Sequence, residues 1–197
     1  MKELFVARHA ESELNLENVL NGDPALAVGL TPLGEVQARA LGAAVGQVDL
    51  AVHTRFQRTR GTAELAWPGA PLLEVPELDE IRFGRWEGTR FGDGYEGWAR
   101  SAGPEEASPG GGESRVEAAR RFVRGYRVLL ARPEERVAAI AHGAPVAYVL
   151  LALEGKPPVR RLAGVEQARP FAIAAEDLER ALDLIDAWAA APTFWAD

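Results

Sequence analysis

Near the start of the chain stands Leu4-Phe5-Val6-Ala7-Arg8-His9-Ala10-Glu11-Ser12, in which four apolar residues are followed at once by an arginine and a histidine. A short apolar run of this kind predicts a buried first strand. Ligands of open α/β sheets bind beyond the carboxyl ends of the strands, so Arg8 and His9 stand where a functional site is expected.

The rest of the chain alternates between strand and helix patterns. Further strands are predicted at residues 49–52, 72–75 and 136–141. Helices are predicted from Pro32 after the N-cap Thr31, at residues 58–66, 95–100, from Ser114 to about 131, at 145–153 and at 175–190. This alternation predicts an α/β fold built around a largely parallel sheet.

Composition narrows the class of protein. The 197 residues are 47% hydrophobic and 26% charged, which is typical of a globular chain and fits a single domain over residues 1–197. The net charge of −7 disfavours binding to nucleic acid or to an anionic membrane. Cysteine is absent, which excludes disulfides, thiolate metal sites and cysteine nucleophiles. The longest apolar stretch, residues 144–153, is too short to span a membrane, so we expect a cytoplasmic protein.

All three histidines of the chain follow predicted strands. His9 follows the first strand, His53 the second, and His142 the strand at residues 136–141. The carboxyl ends of parallel strands meet at one edge of a sheet, so His9 and His142 are expected to converge in one site.

Phosphoryl transfer is the chemistry that suits such a site. An imidazole can attack phosphorus and form a phosphohistidine, and guanidinium groups bind phosphate oxygens through paired hydrogen bonds. Arg8 lies beside the candidate nucleophile, and Arg58 lies on the helix after the second strand. The leaving oxygen needs a proton, for which Glu80 is the candidate donor.

Several short motifs carry a resemblance to a known family. They are Arg8-His9-Ala10-Glu11-Ser12 with Asn15, Leu30-Thr31-Pro32-Leu33-Gly34-Glu35, His53-Thr54-Arg55-Phe56-Gln57-Arg58 with Thr62-Ala63, Glu80-Ile81-Arg82-Phe83-Gly84-Arg85-Trp86-Glu87-Gly88, Gly111-Gly112-Glu113-Ser114 and Ala141-His142-Gly143. In this order they resemble the signature of the histidine phosphatase superfamily, the phosphoglycerate mutase-like proteins. The matching blocks span roughly residues 3 to 150.

The resemblance implies roles for individual residues. His9 would be the phosphorylated nucleophile, and Glu80 the proton donor. Four residues would hold the phosphoryl oxygens: Arg8, Asn15, Arg58 and His142. The resemblance further implies a three-layer α/β/α sandwich with a mostly parallel central sheet, and neither a metal ion nor an organic cofactor.

The chain also departs from the family pattern. Ala10 replaces a glycine, His53-Thr54 replaces a serine pair, Val19 stands where an arginine is common, and Asn21 stands where a glutamine is common. His53 is interpreted as either facing substrate or structural. No pattern matches after about residue 155.

The leading interpretation is a phosphatase that acts on a small phosphate ester. Mutases of the family usually carry a long insertion after the Trp86-Glu87-Gly88 block, whereas the span from Gly88 to Gly110 is short here, which favours an open, hydrolytic site. The alternatives are a phosphoglycerate mutase and a noncatalytic binding or scaffold member. The sequence leaves substrate identity and oligomeric state open.

Overall fold

The computed structural model describes residues 1–194, and the last three residues of the predicted domain lie outside this range. Five strands form one sheet: β1 (Glu3–Arg8), β2 (Leu50–His53), β3 (Leu72–Glu74), β4 (Arg136–Ala141) and β5 (Phe171–Ala174). Their spatial order is β3-β2-β4-β1-β5, and every pair is parallel except β1 with β5. The prediction of a mostly parallel sheet is confirmed.

Helices cover both faces of this sheet. They are α1 (Glu13–Leu16), α2 (Pro32–Val45), α3 (Gln57–Ala66), α4 (Tyr95–Ser101), α5 (Arg115–Leu130), α6 (Gly143–Leu153) and α7 (Ala175–Ala190). Across residues 1–194, no helix combines the length and the apolar character that crossing a membrane requires.

Alternation along the strands divides the core in two. On β1, Leu4 and Val6 face the cluster that contains α5, α6 and α7, whereas Ala7 faces the cluster that contains α2 and α3. Strand β4 alternates in the same way, since successive side chains of a strand point to opposite faces. The chain therefore folds as the predicted three-layer α/β/α sandwich.

Side-chain caps fix where two of the helices begin. Thr31 accepts a hydrogen bond from the Gly34 backbone N–H at 3.0 Å, and Pro32 occupies the first turn of α2. Ser114 and Glu117 form a reciprocal capping box at the start of α5. These polar side chains satisfy N–H groups that the helix itself leaves without partners, so both helix starts were predictable.

The observed elements differ from the predicted ones mainly at the C-terminal side. Helix α6 begins at Gly143, two residues before the predicted start, so that His142 is its N-cap residue. Strand β5 pairs antiparallel with β1 at the edge of the sheet, with Val6 opposite Phe171. The sequence pattern assigned no bounds to this strand, nor to the single turn of α1.

Candidate active site

Two neighbouring strands end side by side and place two histidines together. Arg8, the last residue of β1, is in register with Ala141, the last residue of β4. The next backbone N–H, that of His9, donates to the Ala141 carbonyl at 2.9 Å. The rings of His9 and His142 then meet edge to face, with 5.3 Å between their centroids. The predicted convergence of these two histidines is confirmed.

Arg58, the second residue of α3, contacts both histidines of the site. Its Nε–H donates to His9 Nε2 at 3.1 Å, and one terminal nitrogen lies 3.2 Å from His142 Nδ1. Its other contacts are with Asn21, through both the side-chain oxygen and the backbone carbonyl. Arg58 is 5% exposed, and burial lowers its pKa to about 10, so it stays charged at neutral pH.

The hydrogen bonds of His9 define its tautomer. Its Nδ1 lies 2.7 Å from the Ala10 carbonyl oxygen, which can only accept, so Nδ1 carries the proton. Burial, with Arg58 and then Arg8 as nearby positive charges, holds the pKa of His9 well below its ordinary value. The ring is therefore neutral near pH 7, and its Nε2 lone pair points toward Arg58.

His142 lies behind Arg58. It is fully buried, and its Nδ1 faces the guanidinium, which has no acceptor atom, so the proton of the neutral ring is on Nε2. Nε2 lies 2.8 Å from Thr54 Oγ1 and donates to it. Burial and then Arg58 hold the pKa of His142 well below its ordinary value, which keeps this tautomer uncharged near pH 7.

Arg8 keeps terminal N–H donors that can bind an anion. One terminal nitrogen donates to the Val165 carbonyl at 3.0 Å, which ties β1 to the segment before β5. Its Nε is buried and has no partner within the part of the chain that the structure describes. Burial lowers the pKa of Arg8, while the nearby Glu80 raises it. Because Arg8 lines the pocket and, in the described part of the chain, uses only one terminal N–H, its other terminal donors are suitable phosphate ligands.

Glu80 lies at the N-terminus of α6. Its Oε2 accepts from the Gly143 N–H at 3.1 Å, and its Oε1 accepts from the N–H groups of Ile81 at 3.0 Å and Ala144 at 3.3 Å. The carboxylate is thereby fixed at the start of α6, with Oε2 carrying the fewer hydrogen bonds.

These groups open into a pocket of about 570 Å³. Arg8, His9, Arg58 and Glu80 line one end of it, and Asn15 lines the wall. Asn15 Oδ1 accepts from the backbone and hydroxyl of Ser12 and from Gln167, at 3.0, 2.9 and 2.7 Å, so its NH₂ group is what it can offer to a ligand.

Three other residues singled out in the sequence do not line the pocket. His142 reaches it only through His9 and Arg58, which do line it. His53 is buried, and its Nδ1 lies 2.7 Å from the Thr54 carbonyl oxygen. Of the two interpretations of His53, these contacts fit a structural role. Ala10 is fully buried, and its N–H donates to Thr62 at 3.1 Å.

Two residues contribute to the site without having been predicted to do so. Asn21 holds Arg58, and Thr54 holds His142. Both appeared in the sequence only as departures from the family pattern. The available signal was that a polar residue of the family pattern is replaced by another polar residue at both positions. At position 21, for example, the shorter amide can keep the same hydrogen bond if its backbone lies closer.

A buried neutral histidine beside one buried arginine, one half-buried arginine and a carboxylate is suited to binding a phosphoryl group. Residues 4–182 match the histidine phosphatase superfamily (branch 1), and the chain belongs to this superfamily. A 2,3-bisphosphoglycerate-dependent phosphoglycerate mutase of Brucella melitensis is 31% identical over 175 residues, which cover 79% of this chain and 82% of the mutase.

Solved structures show the same fold. A mycobacterial glucosyl-3-phosphoglycerate phosphatase, solved with VO3, is 26% identical with a TM-score of 0.72, over 88% of this chain and 93% of the other. The alpha-ribazole phosphatase of Shigella flexneri is 23% identical with a TM-score of 0.71, over 87% of this chain and 89% of the other.

Proposed function

We propose that this chain is a phosphatase that hydrolyses a small phosphomonoester through a phosphohistidine at His9, without a metal ion or organic cofactor. The observation that carries the proposal is the unprotonated Nε2 of a neutral, buried His9, which accepts a hydrogen bond from the Arg58 guanidinium at 3.1 Å. A nucleophile needs this lone pair, and the transferred group needs the adjacent positive charge.

The first chemical step forms the phosphoenzyme. His9 Nε2 attacks phosphorus, the P–O bond to the alcohol breaks, and Glu80 gives its proton to the leaving oxygen. Arg58 and the terminal nitrogens of Arg8 bind the phosphoryl oxygens as charge develops on them.

The second step regenerates the enzyme. Water attacks phosphorus, its proton passes to Glu80, and the Nε2–P bond breaks to release inorganic phosphate. The hydrogen bond from His9 Nδ1–H to the Ala10 carbonyl keeps the ring in one orientation through both steps. It also stabilises the positive charge that phosphorylation places on the imidazole.

Two further residues complete the proposed phosphoryl site. His142 positions Arg58 through Nδ1, and its direct contact with phosphate oxygens stays a prediction. Asn15 donates to the substrate through its NH₂ group.

A phosphoglycerate mutase is the second candidate, because relatives at 30 to 31% identity are mutases. The discriminating assay supplies 3-phosphoglycerate with 2,3-bisphosphoglycerate. Conversion to 2-phosphoglycerate that outpaces phosphate release would identify a mutase, whereas we expect phosphate release to dominate.

The test of the proposal measures phosphate release from benzyl phosphate in the presence of a chelator. We expect turnover by the wild type, none by His9→Gln, and turnover by His53→Gln, in which a histidine outside the pocket is changed in the same way. Mass spectrometry of acid-free quenched enzyme should find one phosphoryl group on the peptide that carries His9. Wild type and His9→Gln that are equally inert across a broad panel of phosphate esters would contradict the proposal, as would turnover that the chelator abolishes.

A further inference from the structure

The pocket changes character away from its phosphoryl end. Of the lining residues within the described part of the chain, Arg8 and Arg58 are the only cations, and both lie at the phosphoryl end. The lining also carries Glu11 and Glu166, two carboxylates outside the proposed phosphoryl site. Any substrate must therefore place its alcohol part beside acidic rather than basic side chains.

Neither carboxylate is neutralised by a buried cation. Glu11 accepts a hydrogen bond from the Thr31 hydroxyl at 2.7 Å, which leaves its charge in place. Glu166 pairs with Arg169 at 3.3 Å, but both side chains are more than 60% exposed, where such pairs are weak. Arg90 forms a backbone bridge with Val19, but its side chain is exposed and does not line the pocket.

Apolar and amide side chains make up much of the remaining wall. Phe83 and Phe91 both line the pocket and both pack edge-on against Tyr95, at centroid distances of 4.9 and 5.8 Å. Asn15 and Gln167 also line the pocket, and Gln167 donates a hydrogen bond to Asn15 at 2.7 Å. A wall of this kind accepts a ring on its apolar side and polar, uncharged groups on its amide side.

The volume of the pocket also favours a ring-containing alcohol part. A pocket of about 570 Å³ lies within the range typical of drug-sized ligands, and a phosphorylated three-carbon acid fills only a fraction of it. The net charge of −7 adds a long-range penalty for any substrate with several negative groups.

Resting on the proposed function, we infer that the substrate is a phosphomonoester whose alcohol part is apolar or ring-containing and carries no second negative charge. Neutral and cationic alcohols are accepted, and carboxylate-bearing or bisphosphorylated ones are discriminated against. Val19 sits in the pocket wall at a point where a cation would reverse this selectivity.

The experiment compares kcat/KM for benzyl phosphate, 4-carboxybenzyl phosphate and 4-(aminomethyl)benzyl phosphate, whose leaving alcohols differ little in acidity. We expect the carboxylate ester to be about tenfold poorer than the neutral ester at low salt, and the aminomethyl ester to equal or exceed it. Raising the ionic strength should narrow the differences, since salt screens charges at an open pocket.

Two variants at one position separate charge from size. Val19→Arg should raise kcat/KM for the carboxylate ester relative to the neutral ester by about tenfold, and Val19→Leu should leave this ratio unchanged. If the wild type prefers the carboxylate ester or 3-phosphoglycerate, the inferred selectivity is wrong but the proposed phosphatase activity stands. The same holds if Val19→Arg does not change the ratio of kcat/KM between the carboxylate and neutral esters. Hydrolysis of none of the esters refutes the proposed function and the inference with it.

Discussion

At the scale of single residues, one guanidinium organises the site. Arg58 contacts His9, His142 and Asn21, and it remains charged because its lowered pKa is still about 10. Its charge acts on both histidines, where it adds to the effect of burial in keeping the rings neutral. The same group therefore prepares the nucleophile and offers positive charge to the phosphoryl oxygens.

Replacing Arg58 with lysine tests this double role. Lysine keeps the charge but has no planar fork, so it cannot reach His9, Asn21 and a phosphoryl oxygen from one position. We expect kcat/KM for benzyl phosphate to fall about 100-fold, the magnitude typical of losing one transition-state donor. The matched control is Arg60→Lys on the same helix, whose side chain is exposed and pairs with Glu64. Similar losses in the two variants would show that the effect is not specific to the site.

The positions of His9, Arg8, Arg58, Glu80 and Asn15 around one pocket were predictable, because motifs and strand ends both pointed to them. The supporting contacts were not. Asn21 holds Arg58 across 37 positions of sequence, and Gln167 holds Asn15 across 152. Such bonds depend on how distant loops meet after folding, and no local pattern encodes them.

At the scale of elements, helix α5 holds the segment of Glu80, the proposed proton donor, from outside the pocket. Arg121 donates to the carbonyls of Glu77, Asp79 and Glu80, at 3.0, 2.8 and 3.1 Å. Arg121 in turn pairs with Glu113, which is 2% exposed. Against the effect of burial, hydrogen bonding and charge pairing with Arg121 hold the pKa of Glu113 below its ordinary value. The segment that carries Glu80 is thus clamped to the start of α5.

Loosening this clamp should impair proton donation more than nucleophilic attack. In Glu113→Gln, we expect kcat/KM for benzyl phosphate, whose alkoxide needs a proton, to fall about tenfold more than for p-nitrophenyl phosphate, whose leaving group does not. The control is Glu105→Gln, an exposed carboxylate nearby. Equal losses for the two esters would indicate a general structural defect instead of a positioning role.

Helix α2 approaches the loop after His9 so closely that only glycine fits at one point. A Cβ on Gly34 would lie 2.0 Å from the Glu11 carbonyl oxygen, a backbone atom that cannot move aside alone. We expect Gly34→Ala to lower the free energy of unfolding by about 1–3 kcal/mol and to reduce kcat, because the displaced loop carries His9, the proposed nucleophile.

Gly97, in α4, is the matched comparison for that change. A Cβ there meets no atom within 4 Å, so Gly97→Ala should stabilise the protein by about 0.5–1 kcal/mol through helix propensity. Urea unfolding of both variants measures the contrast. A Gly34→Ala protein as stable as the wild type would mean that the close approach does not exist in solution.

The order of the strands shows a similar division between predictable and unpredictable features. Buried runs such as Val137 to Ala141 identify central strands, because both faces of a parallel sheet are covered. Strand β5 has only one buried residue, Ile173, and it pairs antiparallel at an edge. Its four residues are all apolar, but so short a run does not distinguish a strand from a loop before the fold is known.

At the scale of the whole molecule, the buried histidines of the site lower the free energy of unfolding at low pH. His9 and His142 are held neutral in the fold, chiefly by burial and then by Arg58, with pKa values well below 6.5. In the unfolded chain each should titrate near its ordinary value of about 6.5. As the pH falls below that value, the unfolded chain therefore binds more protons than the folded protein, and the free energy of unfolding decreases.

The size of this loss can be measured by urea unfolding between pH 7.5 and 5.5. Each neutral buried histidine should remove about 1.4 kcal/mol over that range, so His142→Gln should show a shallower pH dependence than the wild type by about this amount. Asp79 and Glu87 have raised pKa values, chiefly through burial, and act in the opposite sense. They are present in both proteins, so the difference in slope isolates the histidine. Equal slopes would mean that His142 accepts a proton inside the fold, and that its hydrogen bonds to Arg58 and Thr54 rearrange when it does.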